Sequence, residues 1–169
     1  NFYVSTKINV GDFNLDQPFN PAFGQYENQI VEFQCKMEHA GMGDLPLFMG
    51  EVFHRFLQEH VRHLQGAWVW FYEGGRSRNI HYPYLSGFAK WTEANIECVS
   101  HLLIRSETNP YDAIRPWVSK VWGGEVAPAI LDILRSSREA VSCALRDEGA
   151  YEAYRKEGAL GQYLMRWHH

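Results

Sequence analysis

The order of elements in the first part of the chain constrains its fold more than any single motif does. Residues 2–10 and 29–38 are rich in β-branched and aromatic side chains, and both segments predict strands. Residues 67–72 form a short apolar run with several aromatics, which favours a buried third strand. A long helix is predicted between the second and third strands. The order strand, strand, helix, strand is typical of a parallel sheet.

The helix predicted between these strands rests on one apolar stripe. The stripe consists of Met49, Phe53, Phe56, Leu57 and Leu64. Asp44 is the predicted N-cap, and Pro46 would lie near the first turn. Residues 11–24 contain two proline and two glycine residues, so they predict a loop between the first two strands.

From about residue 87 onwards the pattern becomes wholly helical. Helices are predicted over residues 88–104, 110–122, 126–145 and 149–163. Asn109-Pro110 has the chemistry of a helix start, and Gly123-Gly124 that of a helix end. We therefore expect two domains, an α/β unit over residues 1–86 and an all-α unit over residues 87–169.

The predicted sheet is small for a complete parallel α/β barrel. A (β/α)8 barrel takes about 250 residues, whereas this chain has 169 residues and room for about three strands. Three such strands would leave an open edge unless further strands pair with them. We therefore predict the C-terminal strands and helix of a (β/α)8 TIM barrel, followed by a C-terminal α-helical domain. The rest of the barrel would lie upstream of Asn1.

Composition excludes several classes of function. The formal net charge is −4 and there is no long basic run, so nucleic acid is not an expected partner. No apolar stretch approaches the roughly 18 residues that span a bilayer, which favours a cytoplasmic or periplasmic protein over a membrane one. The cysteines, Cys35, Cys98 and Cys143, have neither disulfide nor zinc spacing and are expected to pack as small hydrophobes.

Acidic side chains follow the first two predicted strands at equivalent places. Asp12 comes after the first strand and Glu38 ends the second, with Glu32 on the same face as Glu38. Such a pair can share and activate a water as the base of an inverting glycosidase, which needs a protonated acid opposite the base at roughly 6.5–9.5 Å. Lys7 lies within the first strand, where a cation needs an anionic partner. The alternative is that Asp12 forms a turn and Glu38 is a solvated strand end.

Three segments of the chain resemble the glycoside hydrolase family 67 α-glucuronidases. The segments are residues 7–13 (Lys-Ile-Asn-Val-Gly-Asp-Phe), 18–24 (Pro-Phe-Asn-Pro-Ala-Phe-Gly) and 32–38 (Glu-Phe-Gln-Cys-Lys-Met-Glu). The family has Lys-Asn-Gly-Pro-x-Asp-Phe, Pro-x-x-Pro-x-Phe-Gly and Glu-x-Gln-x-x-x-Glu-Tyr in this order and at nearly this spacing. In the helical half, residues 91–95, 109–117 and 137–141 are similar to helices of the family's C-terminal domain.

The resemblance implies a role for each matching residue. Asp12 and Glu38 would together be the base that activates water, and Lys7 would contact the carboxylate of the uronic acid. Glu32 would be the earlier glutamate of the same strand, with either a structural role or a place in the substrate-binding site. Apart from the resemblance, the aromatic side chains of Trp68, Trp70 and Trp91 could each stack on a sugar ring, with core packing as the favoured alternative for each. The resemblance implies no cofactor, and it places the general acid on an upstream strand. The helical half would bury the end of the barrel. It could also form the contact surface of a homodimer.

Departures from the family pattern leave the substrate open. Residues 8–10 are Ile-Asn-Val where the family has Asn-Gly-Pro, and His39 replaces a tyrosine. The loop before Glu32 is about two residues shorter than in the family. The expected reaction is removal of α-linked glucuronic or 4-O-methylglucuronic acid from xylan-derived oligosaccharides, with hydrolysis of another sugar as the alternative.

A second alternative is a non-enzymatic helical domain that binds metal or a partner. Glu51 and His54 form a Glu-x-x-His pair, and Glu97 and His101 lie on a later helix. Glu-x-x-His motifs on bundle helices hold di-iron centres, but the apolar stripe places this first pair on the polar face of its helix. His60 falls on the apolar side, where we expect a buried histidine with satisfied hydrogen bonds.

Overall fold

The computed structural model describes residues 2–9, 18–35, 47–70 and 89–145, without the side chains of residues 89 and 141–145. Within these ranges the strands are β1 (Val4–Lys7), β2 (Gln29–Gln34) and β3 (Leu64–Trp70). The helices are α1 (Gly50–His60), α2 (Ala89–Ile104), α3 (Pro110–Trp122) and α4 (Ala127–Leu145), with a short 3-10 turn at Val61–His63. None of the described helices is both long and apolar enough to cross a membrane.

The described strands form a parallel sheet with β2 in the middle. β1 and β3 both run parallel to β2, as the order of elements predicts. The register aligns Lys7 with Glu32 and Glu32 with Trp68, so these residues form one row across the sheet. Since partners in register point to the same side, the three side chains share one face.

The other face of the sheet is the apolar one. Val31 and Phe33 of β2 are fully buried, and the Phe33 ring makes edge contacts with Phe53 and Phe56 of α1. The connection between β1 and β2 covers the same side, because Phe23 packs against Phe56. One-sided cover of this kind is found in barrels and also in open two-layer sheets, so the TIM-barrel fragment stays a prediction.

The buried side chains of the described residues form a continuous hydrophobic cluster. It includes Val31 of the sheet, Phe53 of α1, Val99 of α2, Ile114 of α3 and Leu131 of α4. Both predicted domains therefore contribute to the same core. The predicted boundary between residues 86 and 87 lies outside the described residues.

Both ends of α3 lie where the sequence predicts them, because residues next to the helix cap it. The Asn109 side chain accepts a hydrogen bond from the backbone N–H of Tyr111 at 3.0 Å and begins α3 at the predicted residue. Gly123 follows the helix with a φ of 96°, a conformation that glycine adopts without strain. The predicted cap Asp44 and the predicted helix over residues 149–163 lie outside the described residues.

One prediction about the first helix is wrong. Leu64 was expected on its apolar stripe, but α1 ends at His60 and Leu64 is the first residue of β3. The 3-10 turn at Val61–His63 connects the two elements. Leu64 is partly buried there and still packs against the hydrophobic core.

Buried polar groups join the helical half to the sheet half. The Asn95 amide N–H groups of α2 donate to the carbonyl oxygens of Leu47 at 3.0 Å and Cys35 at 3.3 Å. The Asn95 carbonyl oxygen accepts from the backbone N–H of Met49 at 2.7 Å. Ser137 of α4 accepts from the backbone N–H of Phe48 at 3.0 Å. These bonds fix both ends of the segment that connects β2 to α1.

We expect His60 to make the stability of this fold sensitive to acid. Its ring packs against the rings of Phe19, Phe23 and Phe56, and burial lowers its pKa from the usual 6.5, with Glu59 opposing the shift. Because the folded protein resists protonation, stability present above pH 6.5 is lost as pH falls through the folded pKa. We expect the His60→Leu variant to lose less stability than the parent between about pH 8 and about pH 5 in urea titrations. Equal losses in the two proteins would contradict this account.

Candidate functional site

The candidate site lies on the polar face of the sheet. Lys7 is exposed, Glu32 retains 9% of its accessible surface, and Trp68 retains 41%. All three belong to the row that the strand register defines. The structure therefore brings together two of the predicted site residues, Lys7 and Glu32, on neighbouring strands.

Opposing effects set the ionisation of Glu32. Burial raises the pKa of its carboxyl group, and the positive charge of Lys7 lowers it. The first effect is the larger, so the net shift is upward. Lys7 thus has the anionic neighbour that a cation within a strand needs, and Glu32 has a charge beside it that favours its ionised form.

Trp68 occupies the far end of the same row. Its indole N–H donates a hydrogen bond to the Ser5 hydroxyl oxygen at 2.9 Å. Ser5 belongs to β1, whereas Trp68 belongs to β3, so this bond passes over β2. The Trp70 ring lies next to it, with ring centroids 6.1 Å apart and planes tilted by 44°. The polar face therefore combines a charged pair with a fixed aromatic surface.

The predicted base residues follow the described strands in the sequence. Asp12 and Glu38 are both outside the described residues, so their convergence on one water stays a prediction. β1 and β2 are parallel, and their carboxyl ends therefore meet at the same edge of the sheet. Lys7 is the last residue of β1, so it lies at this edge.

Trp91 is on α2, apart from the row. It is partly buried and packs against the hydrophobic core. Core packing is the alternative to sugar contact that the sequence left open for Trp91. Its role in binding substrate stays a prediction.

Glu51, the acidic residue of the Glu-x-x-His pair, is hydrogen-bonded to residues of α3 and α4. Glu51 accepts a hydrogen bond from the Tyr111 hydroxyl at 2.8 Å and one from Arg138 at 3.4 Å. His54 contacts the side-chain amide of Gln58 at 3.5 Å. Within the described residues, no three His, Cys, Asp or Glu side chains are grouped so that they could hold a metal ion.

Cys35 and Cys98 are free thiols in the core. Both are fully buried, and burial raises the pKa of each thiol well above its usual value. A thiol in this state is a poor nucleophile and a poor metal ligand. The side chain of Cys143 lies outside the described residues.

Sequence reasoning missed one contributor to the site, Ser5, and one buried residue that holds the fold together, Asn95. Ser5 lies two residues before Lys7, and strand alternation alone could have placed it on the same face. Asn95 was noted only as part of a motif, and a buried asparagine gives no further signal in a helical sequence. Its partners, Cys35, Leu47 and Met49, are distant in the chain.

Comparison with known proteins adds no relative to this description. No protein-family model matches the chain, and no curated protein and no solved structure matches it. What the chain does is therefore inferred from its motifs and from the polar face of the sheet.

Proposed function

We propose that this chain forms part of a glycoside hydrolase that removes α-linked glucuronic or 4-O-methylglucuronic acid from xylan-derived oligosaccharides, with inversion at the anomeric carbon. The observation that supports this most is the pairing of Lys7 with Glu32 at the carboxyl edge of parallel strands. Asp12 and Glu38 follow these strands in the sequence. Parallel α/β enzymes place their chemistry at this edge.

Lys7 is proposed to anchor the carboxylate of the sugar. An exposed ammonium group offers three hydrogen-bond donors and a full positive charge, which suits a uronic acid better than a neutral hexose. Glu32 would hold the ammonium in place from the neighbouring strand. The selectivity for an acidic sugar would therefore come from the cation at the end of β1.

Asp12 and Glu38 are proposed to share one water molecule. As the base pair, they would remove a proton from this water while it attacks the anomeric carbon from the side opposite the leaving group. The leaving oxygen needs a protonated acid, which the family places on an earlier barrel strand. The proposal therefore includes an upstream barrel portion of the same enzyme as a partner of this chain.

The direct test is an activity assay of the enzyme extended upstream of residue 1. Aldouronic acids from glucuronoxylan should release free glucuronic or 4-O-methylglucuronic acid, measured by chromatography. Neutral xylo-oligosaccharides of the same length serve as the control and should remain intact. Absence of uronic acid release from any aldouronic acid would overturn the proposal, and release of another sugar would shift it to a related substrate.

Lys7 gives a prediction about selectivity. The Lys7→Met variant should lose about 10- to 100-fold in kcat/KM on the uronic acid substrate, because a hydrogen-bonded charge contact is removed. Activity on the matching neutral glycoside should change far less. The exposed Lys90, which forms a surface ion pair with Glu93, supplies a matched control as Lys90→Met. Equal losses of kcat/KM on the acidic and the neutral substrate would show that Lys7 does not bind the carboxylate.

A further inference from the structure

The connection between β2 and α1 has both of its ends in the described structure. Cys35 follows β2, and its N–H donates to the carbonyl oxygen of Trp70 on β3 at 2.9 Å, so this end is tied to the sheet. Residues 47–49 precede α1 and are buried. Residues 36–46, which include Glu38, lie outside the described residues. The two ends are therefore the points from which the connection starts and to which it returns.

One side chain of α2 bonds to both ends. The Asn95 amide N–H groups donate to the carbonyl oxygens of Cys35 at 3.3 Å and Leu47 at 3.0 Å. The Asn95 carbonyl oxygen accepts from the N–H of Met49 at 2.7 Å. A carboxamide carries two N–H donors and an acceptor on one planar group, and this one is 1% exposed, so bulk water does not compete for its bonds. Asn95 thereby keeps the end of β2 and the start of α1 side by side.

The direction of α2 places this contact at the carboxyl edge of the sheet. Asn95 bonds to residues at the start of α1, and the carbonyl oxygen of Ser106, after the end of α2, accepts from Gln58 near the end of α1. The two helices therefore run in the same direction. Because Asn95 also bonds to Cys35, the first half of α2 lies beside the carboxyl end of β2, where the proposed chemistry takes place.

Glu38 is close in sequence to the residue that Asn95 holds. It follows Cys35 by three residues, and three residues span at most about 11 Å even when fully extended. A displacement of about 1 Å in a reacting group can cost about 100-fold in rate. A shift in the end of β2 relative to α1 would therefore affect proton transfer more than it affects substrate binding.

We infer that Asn95, assisted by Ser137 of α4, is a positioning residue for Glu38. It acts through the backbone of Cys35, Leu47 and Met49, and it does not touch the substrate. The inference rests on the proposed function for the role of Glu38 as part of the base. The helical half is then needed for the reaction itself, in addition to covering the sheet.

The first test separates catalysis from stability in the enzyme extended upstream of residue 1. Asn95→Ala, assayed on an aldouronic acid at a temperature where circular dichroism shows it folded, should lose about 10- to 100-fold in kcat. Its KM should change by less than about three-fold, since ground-state contacts with the sugar are kept. Ile114→Ala truncates a fully buried side chain of α3 and is the control for destabilisation alone. It should keep kcat within about two-fold of the parent. Parent-like kcat in folded Asn95→Ala, or equal losses in both variants, overturns the inference.

The second test asks whether Asn95 acts through Glu38. In a Glu38→Gln background the base is already impaired, so adding Asn95→Ala should lower kcat by less than about two-fold further. Residues that affect the rate independently would instead multiply their losses. A full 10- to 100-fold further loss in the double variant would show that Asn95 does not position Glu38.

Ser137→Ala provides the same test where Asn95→Ala does not fold. The Ser137 hydroxyl accepts from the N–H of Phe48 at 3.0 Å, at the α1 end of the connection. Its removal should lower kcat by about 2- to 5-fold in the parent and have no effect in the Glu38→Gln background. Ser136→Ala, at the neighbouring exposed position of α4, is the matched control and should behave like the parent. Parent-like kcat of Ser137→Ala overturns the inference in that case.

The inference and the proposed function give different failures. If Glu38→Gln lowers kcat but Asn95→Ala and Ser137→Ala do not, the proposed function stands and the positioning role is rejected. If Glu38→Gln is as active as the parent, the proposed base is wrong, and the positioning role is rejected with it.

Discussion

Replacement of Asn95 by alanine is expected to lower the free energy of unfolding by about 3–5 kcal/mol. The Asn95 side chain is 1% exposed and makes hydrogen bonds to backbone groups of Cys35, Leu47 and Met49. Each buried backbone group left without its partner costs about 1–3 kcal/mol. Urea titration followed by circular dichroism measures the change directly.

Two further variants show whether the loss comes from these hydrogen bonds. Ser137→Ala removes a single buried acceptor for the Phe48 N–H, so it should cost about 1 kcal/mol. Glu97→Ala, at an exposed position of α2, should stay within about 0.5 kcal/mol of the parent. An Asn95→Ala protein no less stable than Glu97→Ala would show that α2 does not hold the ends of the connection from β2 to α1.

Asp12→Asn and Glu38→Gln are each expected to reduce kcat by about 100-fold or more on an aldouronic acid. Either change removes a proton acceptor from the proposed base pair, while its size and hydrogen-bonding shape are nearly kept. The free energy of unfolding should change little, since the effect falls on proton transfer to and from the attacking water. Steady-state kinetics and urea titration on the enzyme extended upstream separate the two effects.

A surface aspartate provides the control for these variants. Asp132 of α4 is exposed and forms an ion pair with Arg135 one helical turn away, so Asp132→Asn should leave kcat unchanged.

Combining the two base variants tests whether Asp12 and Glu38 act together or independently. If Asp12 and Glu38 act on one water, the double variant should be little worse than the worse single variant, because residues that act as a unit are not additive. Parent-like activity of both single variants would remove the basis of the mechanism.

The fold could be predicted where local chemistry determines it. Asn109 and Gly123 mark the two ends of α3 because a cap and a positive φ are properties of the residues themselves. The end of α1 could not be placed in this way. Leu64 continues the apolar spacing of the helix, yet its side chain packs against the core from the first position of β3. Apolar periodicity alone does not separate these two arrangements.

The candidate site could be predicted only in part. A lysine within a strand indicates that an anion is near, but the choice of Glu32 depends on the register between β1 and β2. That register is a property of the assembled sheet. The contact from Trp68 to Ser5 and the bonds of Asn95 likewise join residues separated by more than forty positions. No local pattern specifies contacts at such separations.

The most direct measurement of the central claim is proton NMR of the reaction as it begins. The enzyme extended upstream is mixed with an aldouronic acid, and the anomeric signals of the released uronic acid are followed before they equilibrate. A water activated by two carboxylates across the sugar predicts that the β-anomer appears first from the α-linked substrate. First appearance of the α-anomer, or no release of uronic acid, would contradict the account.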